Sequence, residues 1–120
     1  MKNNKLADLS MDLAVEIIEL VKQLKSKKES IISRQVGRSG TSIGANIRES
    51  QYAHSKADFI AKLQIALKEA NETGYWLELL LKTNYISKEY YNKIDKLCST
   101  IRVLLITSIN TTKRNMESKK

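Results

Sequence analysis

The chain has no proline, and it has a single cysteine, a single histidine and only seven aromatic residues. Without proline, no position loses a backbone donor or clashes with the preceding turn, so long uninterrupted helices are permitted. A lone Cys98 cannot close an internal disulfide, which suits a reducing cytoplasmic setting. His54 and Cys98 do not make a zinc site, and no Glu-x-x-His pair exists to build a di-metal bundle. No metal and no cofactor is therefore expected. The longest wholly aliphatic run is Val103 to Ile106, far short of the roughly 20 residues of a membrane span. The opening MKNNKLADLS lacks the apolar core of a signal peptide, so no membrane partner is expected. With so few aromatics there is no obvious stacking array, which argues against sequence-specific reading of single strands.

What is present is helical periodicity. Leu6, Leu9, Leu13, Ile17, Leu20 and Leu24 recur at steps of three and four, and Ala14, Ile18 and Val21 widen that face. The spacing predicts a first helix over about residues 5–26, with a turn at Ser26 to Glu29. A second helix is predicted over 30–53, its apolar face made by Ile32, Val36, Ile43 and Ile47, with Ser39 in the gap. Ser55 is a plausible cap for a third helix over 56–83, and Asp58 can play the reciprocal part of a capping box. That helix carries Phe59, Leu63, Ala66, Ala70, Thr73, Leu77 and Leu80 on one face. Ser87 caps a fourth, over 88–112, with Tyr91, Ile94, Cys98, Ile101, Leu105 and Ile109 facing inward. Residues 113–120 read as a frayed basic tail. Four periodic segments, short connections and no strand pattern predict an all-α, up-down-up-down four-helix bundle occupying residues 1–120 as one domain.

The stretch Arg34 to Ser50, RQVGRSGTSIGANIRES, is the least ordinary part of the chain. It holds three of the four glycines. Each glycine inside a helix costs roughly 1 kcal/mol against alanine, so a compensating close approach of another backbone is expected at Gly37, Gly40 and Gly44. The competing reading is a loop, Gly-Arg-Ser-Gly-Thr-Ser, between two shorter helices. Arg34, Arg38, Thr41, Ala45 and Arg48 fall at steps of four, three, four and three, which places three cations on a second face. They form either a phosphate-contacting stripe or an ordinary solvated face. Asn46 and Glu49 border the packed face and read as a hydrogen-bonded pair that fixes register. Gly37 to Ser42 faintly resembles a phosphate loop, but it lacks the Gly-Lys-Ser/Thr ending and the preceding strand.

The net charge is +8, and residues 85–120 contribute eight positive and three negative groups. A basic balance favours anionic partners, nucleic acid or an acidic protein. No nucleophile, acid–base pair or metal cluster is legible. Cys98 sits on an apolar helix face and reads as core. The expectation is a non-enzymatic protein without catalytic residues. Arg34, Arg38, Arg48, Lys113 and Arg114 are the candidate phosphate contacts. The breadth of the apolar faces, together with small residues on more than one side of the second helix, predicts self-association.

The run Arg38-Ser39-Gly40-Thr41-Ser42-Ile43-Gly44-Ala45-Asn46-Ile47-Arg48-Glu49-Ser50 resembles the signature of the 23S ribosomal RNA intervening-sequence family. The family typically reads Arg-Ala-x-x-Ser-Ile-x-x-Asn-Ile-Ala-Glu-Gly here. Asp58 to Ala66, and Glu69 before the Tyr75-Trp76-Leu77 region, look like further family stretches. Gly44 stands where the family often has proline, and Arg48 and Ser50 replace alanine and glycine. The resemblance implies a bundle that assembles into a ring, a homopentamer, encoded in bacterial ribosomal RNA genes and without catalytic activity. It also implies a likeness to the accessory protein of diversity-generating retroelements, a basic pentameric barrel that engages nucleic acid and a reverse transcriptase. From their types and spacing, Gly37, Gly40, Ser42, Ile43, Gly44, Asn46, Ile47 and Glu49 read as a helix-packing or assembly motif. A protein-interaction scaffold serving a polymerase is the alternative to nucleic-acid binding.

Overall fold

A computed structural model describes residues 4–118, which form four α-helices and, among the described residues, no strand. They are α1 (Asn4–Ser26), α2 (Ile31–Ser50), α3 (Lys56–Lys82) and α4 (Lys88–Ser118). Each helix packs on its neighbour in sequence, α1 closes the ring against α4, and among the described residues the diagonal pairs do not bring their backbones close. The result is an elongated bundle-like body of 54 × 22 × 21 Å. The inward stripes are aliphatic throughout: Leu13, Ile17 and Leu20 of α1, Ile43 and Ile47 of α2, Leu63 and Leu77 of α3, and Ile101 and Leu105 of α4 are fully buried. Burying each such side chain contributes about 1.5–3 kcal/mol.

The connections are set by local chemistry. Lys28 and Asn84 both take the left-handed backbone, with φ of 63° and 67°. That conformation lets the Glu29 amide reach the Leu24 carbonyl at 2.9 Å and the Tyr85 amide reach that of Leu80 at 3.0 Å. These bonds satisfy the carbonyls that end α1 and α3. The start of α2 is capped by Glu29 rather than by Ser30. Its carboxylate accepts from the amides of Ile31, Ile32 and Ser33 at 3.2, 3.1 and 2.7 Å. Three donors with no intrahelical partner thus meet one anion at the positive end of the helix dipole, and Glu29 is buried as a result. Ser55 accepts from the Asp58 amide at 3.0 Å, and Ser87 from that of Tyr90 at 3.0 Å. The Asp58 side chain does not return a bond to Ser55, so only half of a capping box forms.

Three sequence readings need correction. The second helix ends at Ser50, not at residue 53. There the amides of Gln51, Tyr52 and Ala53 switch to tighter bonds three residues back, to Arg48, Glu49 and Ser50. Residues 113–118 are not a frayed tail but the last turns of α4, held because Met116 continues the stripe of Ile109 and packs on the core; residues 119 and 120 lie outside the described residues. Ile18 does not widen the α1 core face, being 44% exposed on the outside of the helix.

The glycine-rich stretch is one continuous helix, so the loop reading falls away, and with it the phosphate-loop likeness. None of the glycines has positive φ. Their role is therefore the missing side chain, not backbone freedom. A Cβ on Gly40 would lie 2.7 Å from Cγ1 of Ile17, one on Gly37 would lie 3.2 Å from Cγ2 of Val21, and one on Gly44 would lie 3.3 Å from the Ser10 hydroxyl and 3.5 Å from its backbone carbonyl. The three glycines form the seam along which α2 rests on α1. Gly40→Ala is expected to destabilise the protein by about 1–2 kcal/mol in chemical denaturation. The overpacking against buried Ile17 outweighs the roughly 1 kcal/mol that alanine gains in helix propensity. Gly37→Ala, which meets only one methyl, is expected to be near neutral. A Gly40→Ala protein more stable than the parent would show that the seam is not closely packed.

Candidate functional site

The five candidate cations do not lie together. On α2, Arg34 and Arg48 are both exposed and about 21 Å apart along the axis, at 1.5 Å per residue. Lys113 and Arg114 are exposed near the end of α4. Because successive helices reverse direction, that end is the one that carries Arg48, and Arg34 lies toward the opposite end. Arg34, Arg48, Lys113 and Arg114 have no carboxylate within ion-pair distance among the described residues. Arg114 instead donates to the Thr111 hydroxyl at 3.4 Å.

Arg38 behaves differently and leaves the expected stripe. Its guanidinium turns to α3, where one nitrogen donates to both oxygens of Glu69 at 3.2 and 3.3 Å and another donates to Glu72. The Trp76 indole donates to the same Glu72 oxygen at 3.1 Å, and Tyr75 packs edge-on against the Trp76 ring at 4.9 Å. Glu72 is thereby held below the usual carboxylate range, first by the indole hydrogen bond and then by Arg38. Arg38 is raised in turn, chiefly through its bond to Glu72. Beneath this surface network the hydroxyls of Ser39 and Thr73 are hydrogen-bonded at 2.9 Å in the buried α2–α3 interface. The sequence does not show that Arg38 meets Glu69 and Glu72, because it is 31 and 34 residues away from them.

The packing motif is divided among both neighbours of α2. Gly37, Gly40 and Gly44 meet α1, and Ile43 and Ile47 enter the core. Ser42 bonds back to the Arg38 carbonyl at 2.7 Å. Asn46 and Glu49 are not bonded to each other, which corrects the register-pair reading. Asn46 donates to the Ser42 carbonyl on its own helix at 2.9 Å, while Glu49 pairs with Lys62 of α3 at 3.3 Å. The two side chains leave α2 in different directions because a step of three residues rotates them 60° apart.

Between α1 and α2, above Gly44, runs an open groove of about 460 Å³ lined by Ser10, Met11, Ala14, Ala45 and Arg48 among others. Met11, Val15 and Ile18 continue its apolar lining onto the outside of α1, at 50, 55 and 44% exposure. The sequence reading missed this strip by assigning Ile18 to the core. The signal available was that Met11, Val15 and Ile18 fall at steps of four and three on the side opposite Leu13 and Leu20.

Cys98 is fully buried beside the Ala70 carbonyl, and burial pushes its thiol up to about 11. A thiol so protonated is a poor nucleophile. Among the described residues no group of three or more His, Cys, Asp or Glu could hold a metal ion. No helix among them is long and apolar enough to cross a membrane.

The single tryptophan makes the Arg38–Glu72 network observable. Since the folded-state value of Glu72 is lowered, its contribution to stability is present above the ordinary glutamate range of about 4.3 and is lost as pH falls through the lower folded value. Trp76 fluorescence in an acid titration is therefore expected to change with a midpoint below about 4.3. In Arg38→Gln the midpoint should move upward. An unchanged midpoint in that variant would show that Arg38 does not hold the carboxylate in solution.

Residues 2–107 match the family described as 23S rRNA-intervening sequence protein. Among solved structures, the chain is 55% identical to a protein of unknown function from the S23 ribosomal protein family of Bacteroides thetaiotaomicron VPI-5482. The match covers 87% of this chain and 97% of that one, with a TM-score of 0.85. No curated protein matches.

Proposed function

The chain belongs to the 23S rRNA-intervening sequence protein family, and from that premise we propose that it is a non-enzymatic, self-associating basic bundle that binds structured nucleic acid through phosphate contacts. The observation that carries this reading is the exposure of Arg34, Arg48, Lys113 and Arg114 without carboxylate partners among the described residues. Cations not neutralised within the chain are free to replace the counterions of a phosphate backbone. Arg38, committed to Glu69 and Glu72, contributes less than its sequence position suggests. The assembly is a closed homo-oligomer acting in the cytoplasm, with five subunits by family resemblance. Separate copies each offering a few phosphate contacts would together bind through avidity.

A second reading, a scaffold for a protein such as a polymerase, is favoured by one observation, the exposed apolar strip Met11, Val15 and Ile18. Such strips mark protein contacts more often than nucleic-acid contacts. A copy of the same chain is the simplest such protein.

Binding to a structured RNA and to duplex DNA is expected to weaken steeply with salt. On duplex DNA the log–log slope should correspond to several phosphates at about 0.9 each. Arg34→Gln with Arg48→Gln should reduce that slope by about two phosphates' worth. Absence of binding at low salt would overturn the nucleic-acid reading and move the search to protein partners. Light scattering at micromolar concentration is expected to give a mass several times the 13.7 kDa of one chain. A monomer mass would overturn self-association.

A further inference from the structure

The two helices at the ends of the chain carry opposite charge blocks. From Leu6 to Val21, α1 has Asp8, Asp12, Glu16 and Glu19 and no basic residue. From Lys96 to Met116, α4 has Lys96, Arg102, Lys113 and Arg114 and no acidic residue. Although α1 and α4 are neighbours in the bundle, these blocks hardly neutralise each other. The ion pair between the two helices, Glu16 with Lys93 at 3.7 Å, uses a lysine outside the α4 block. Glu19 pairs with Lys22 on its own helix. Asp8, Asp12 and Lys96 are exposed and without ion pairs among the described residues.

Each block also has an exposed apolar centre. On α1 it is Met11, Val15 and Ile18, which spans about 10 Å along the helix. On α4 it is Val103, 62% exposed, and Ile106, 45% exposed. The remaining large exposed hydrophobic residues, Ile31, Tyr52, Ile65 and Tyr75, are scattered singly. Single exposed apolar residues are ordinary, but two compact strips, one on the acidic block and one on the basic block, are not.

From this pairing we infer that the acidic, apolar outer face of α1 docks on the stretch of α4 from Lys96 to Ile106 of a second copy of the chain, short of Lys113 and Arg114, which stay open to phosphate. The inference rests on the self-association reading and names the surfaces that carry it. The apolar centres are removed from water at the middle of the contact. The flanking charges steer the approach and reject the like-with-like arrangements α1 on α1 and α4 on α4. Because the two faces are different surfaces, a copy that has used its α1 face still offers its α4 face. The contact can therefore propagate into a ring or, where the rotation does not close, a filament. The groove beside Gly44 lies along the edge of this contact and gives the partner's side chains somewhere to enter.

The test uses two variants of the full chain, Val15→Asp and Val103→Asp. Both positions are more than half exposed, so neither substitution enters the core. Each variant alone is expected to lose the assembly, dropping to the monomer mass by light scattering. Mixed in equal amounts, they are expected to form a dimer, since the Val103→Asp chain keeps an intact α1 face and the Val15→Asp chain an intact α4 face. Higher salt should weaken assembly of the parent protein by several-fold. If Val103→Asp alone still assembles like the parent, α4 is not in the interface and the inference is overturned. If both variants are monomeric and the mixture is too, the two faces do not meet each other, which also overturns it. A parent protein that is itself monomeric removes the self-association reading instead. Val15→Ser and Val103→Ser repeat the experiment should circular dichroism show that an aspartate variant has lost helix.

Discussion

The contact between Gly40 and Ile17 is the constraint on which the rest of the bundle depends. With 2.7 Å between an added Cβ and the Ile17 side chain, any residue but glycine at position 40 would force Ile17 to shift. Fixing the distance between α1 and α2 in this way fixes more than one pair of helices. Ile17 must then be fully buried, and the depth at which α2 sits decides which of its other faces meets α3. Ser39, one residue before Gly40, is turned by the same geometry into the α2–α3 interface, where it meets Thr73. The two hydroxyls satisfy each other, so a polar pair can occupy the core without the penalty of an unpaired group. The three helix-weakening glycines are tolerated because tertiary packing, rather than intrinsic propensity, supplies most of the stability of a helix in a protein.

The same placement divides the charges of α2. Arg38 lies on the α3 side of the outer surface and is captured by Glu69 and Glu72, while Arg48 lies on the α1 side, where the groove has no carboxylate partner for it. A solvated pair of this kind adds little stability, commonly 0–1 kcal/mol. Its more evident effect is on orientation. Arg38, Glu72 and Trp76 form one connected network, so the only indole of the chain is held against the α2–α3 seam instead of standing free as a stacking surface. The cations that remain available to a partner then include Arg34 and Arg48 toward the two ends of α2 and Lys113 and Arg114 on α4.

Much of the fold was legible because its signal is periodic. The aliphatic residues at steps of three and four are the residues found buried, and Ser55 and Ser87 stand where caps are needed. The parts that were not legible are those in which one residue acts through another far away or against its usual type. Glu29 caps α2 from within the expected turn, using a side chain long enough to reach three amides. Residues 113–118 continue α4, where Thr107 and Thr112 direct their hydroxyls to carbonyls four residues back and Met116 packs on the core. Of the candidate site, the glycines could be read as a seam because nothing else in a helix needs three of them. The partner of Arg38 could not be read, since cross-helix pairing depends on rotation angles that no local pattern records.

The interior of the bundle is filled mainly by leucine and isoleucine. The Ser39 and Thr73 hydroxyls between α2 and α3 are paired, burial pushes the Cys98 thiol up to about 11, and the Ser33 hydroxyl is buried without a hydrogen-bond partner. The groove between α1 and α2 is an open feature of about 460 Å³ on the outer surface, bounded beneath by the glycine seam. What distinguishes one outer face from another is then charge sign and apolar exposure. On α1 and α4 these vary together: acid with Met11, Val15 and Ile18 on one, base with Val103 and Ile106 on the other. A helix needs neither arrangement for its own stability, because exposed valine and isoleucine are weaker helix formers than alanine or lysine. On the reading proposed above, both faces serve contact between copies of the chain.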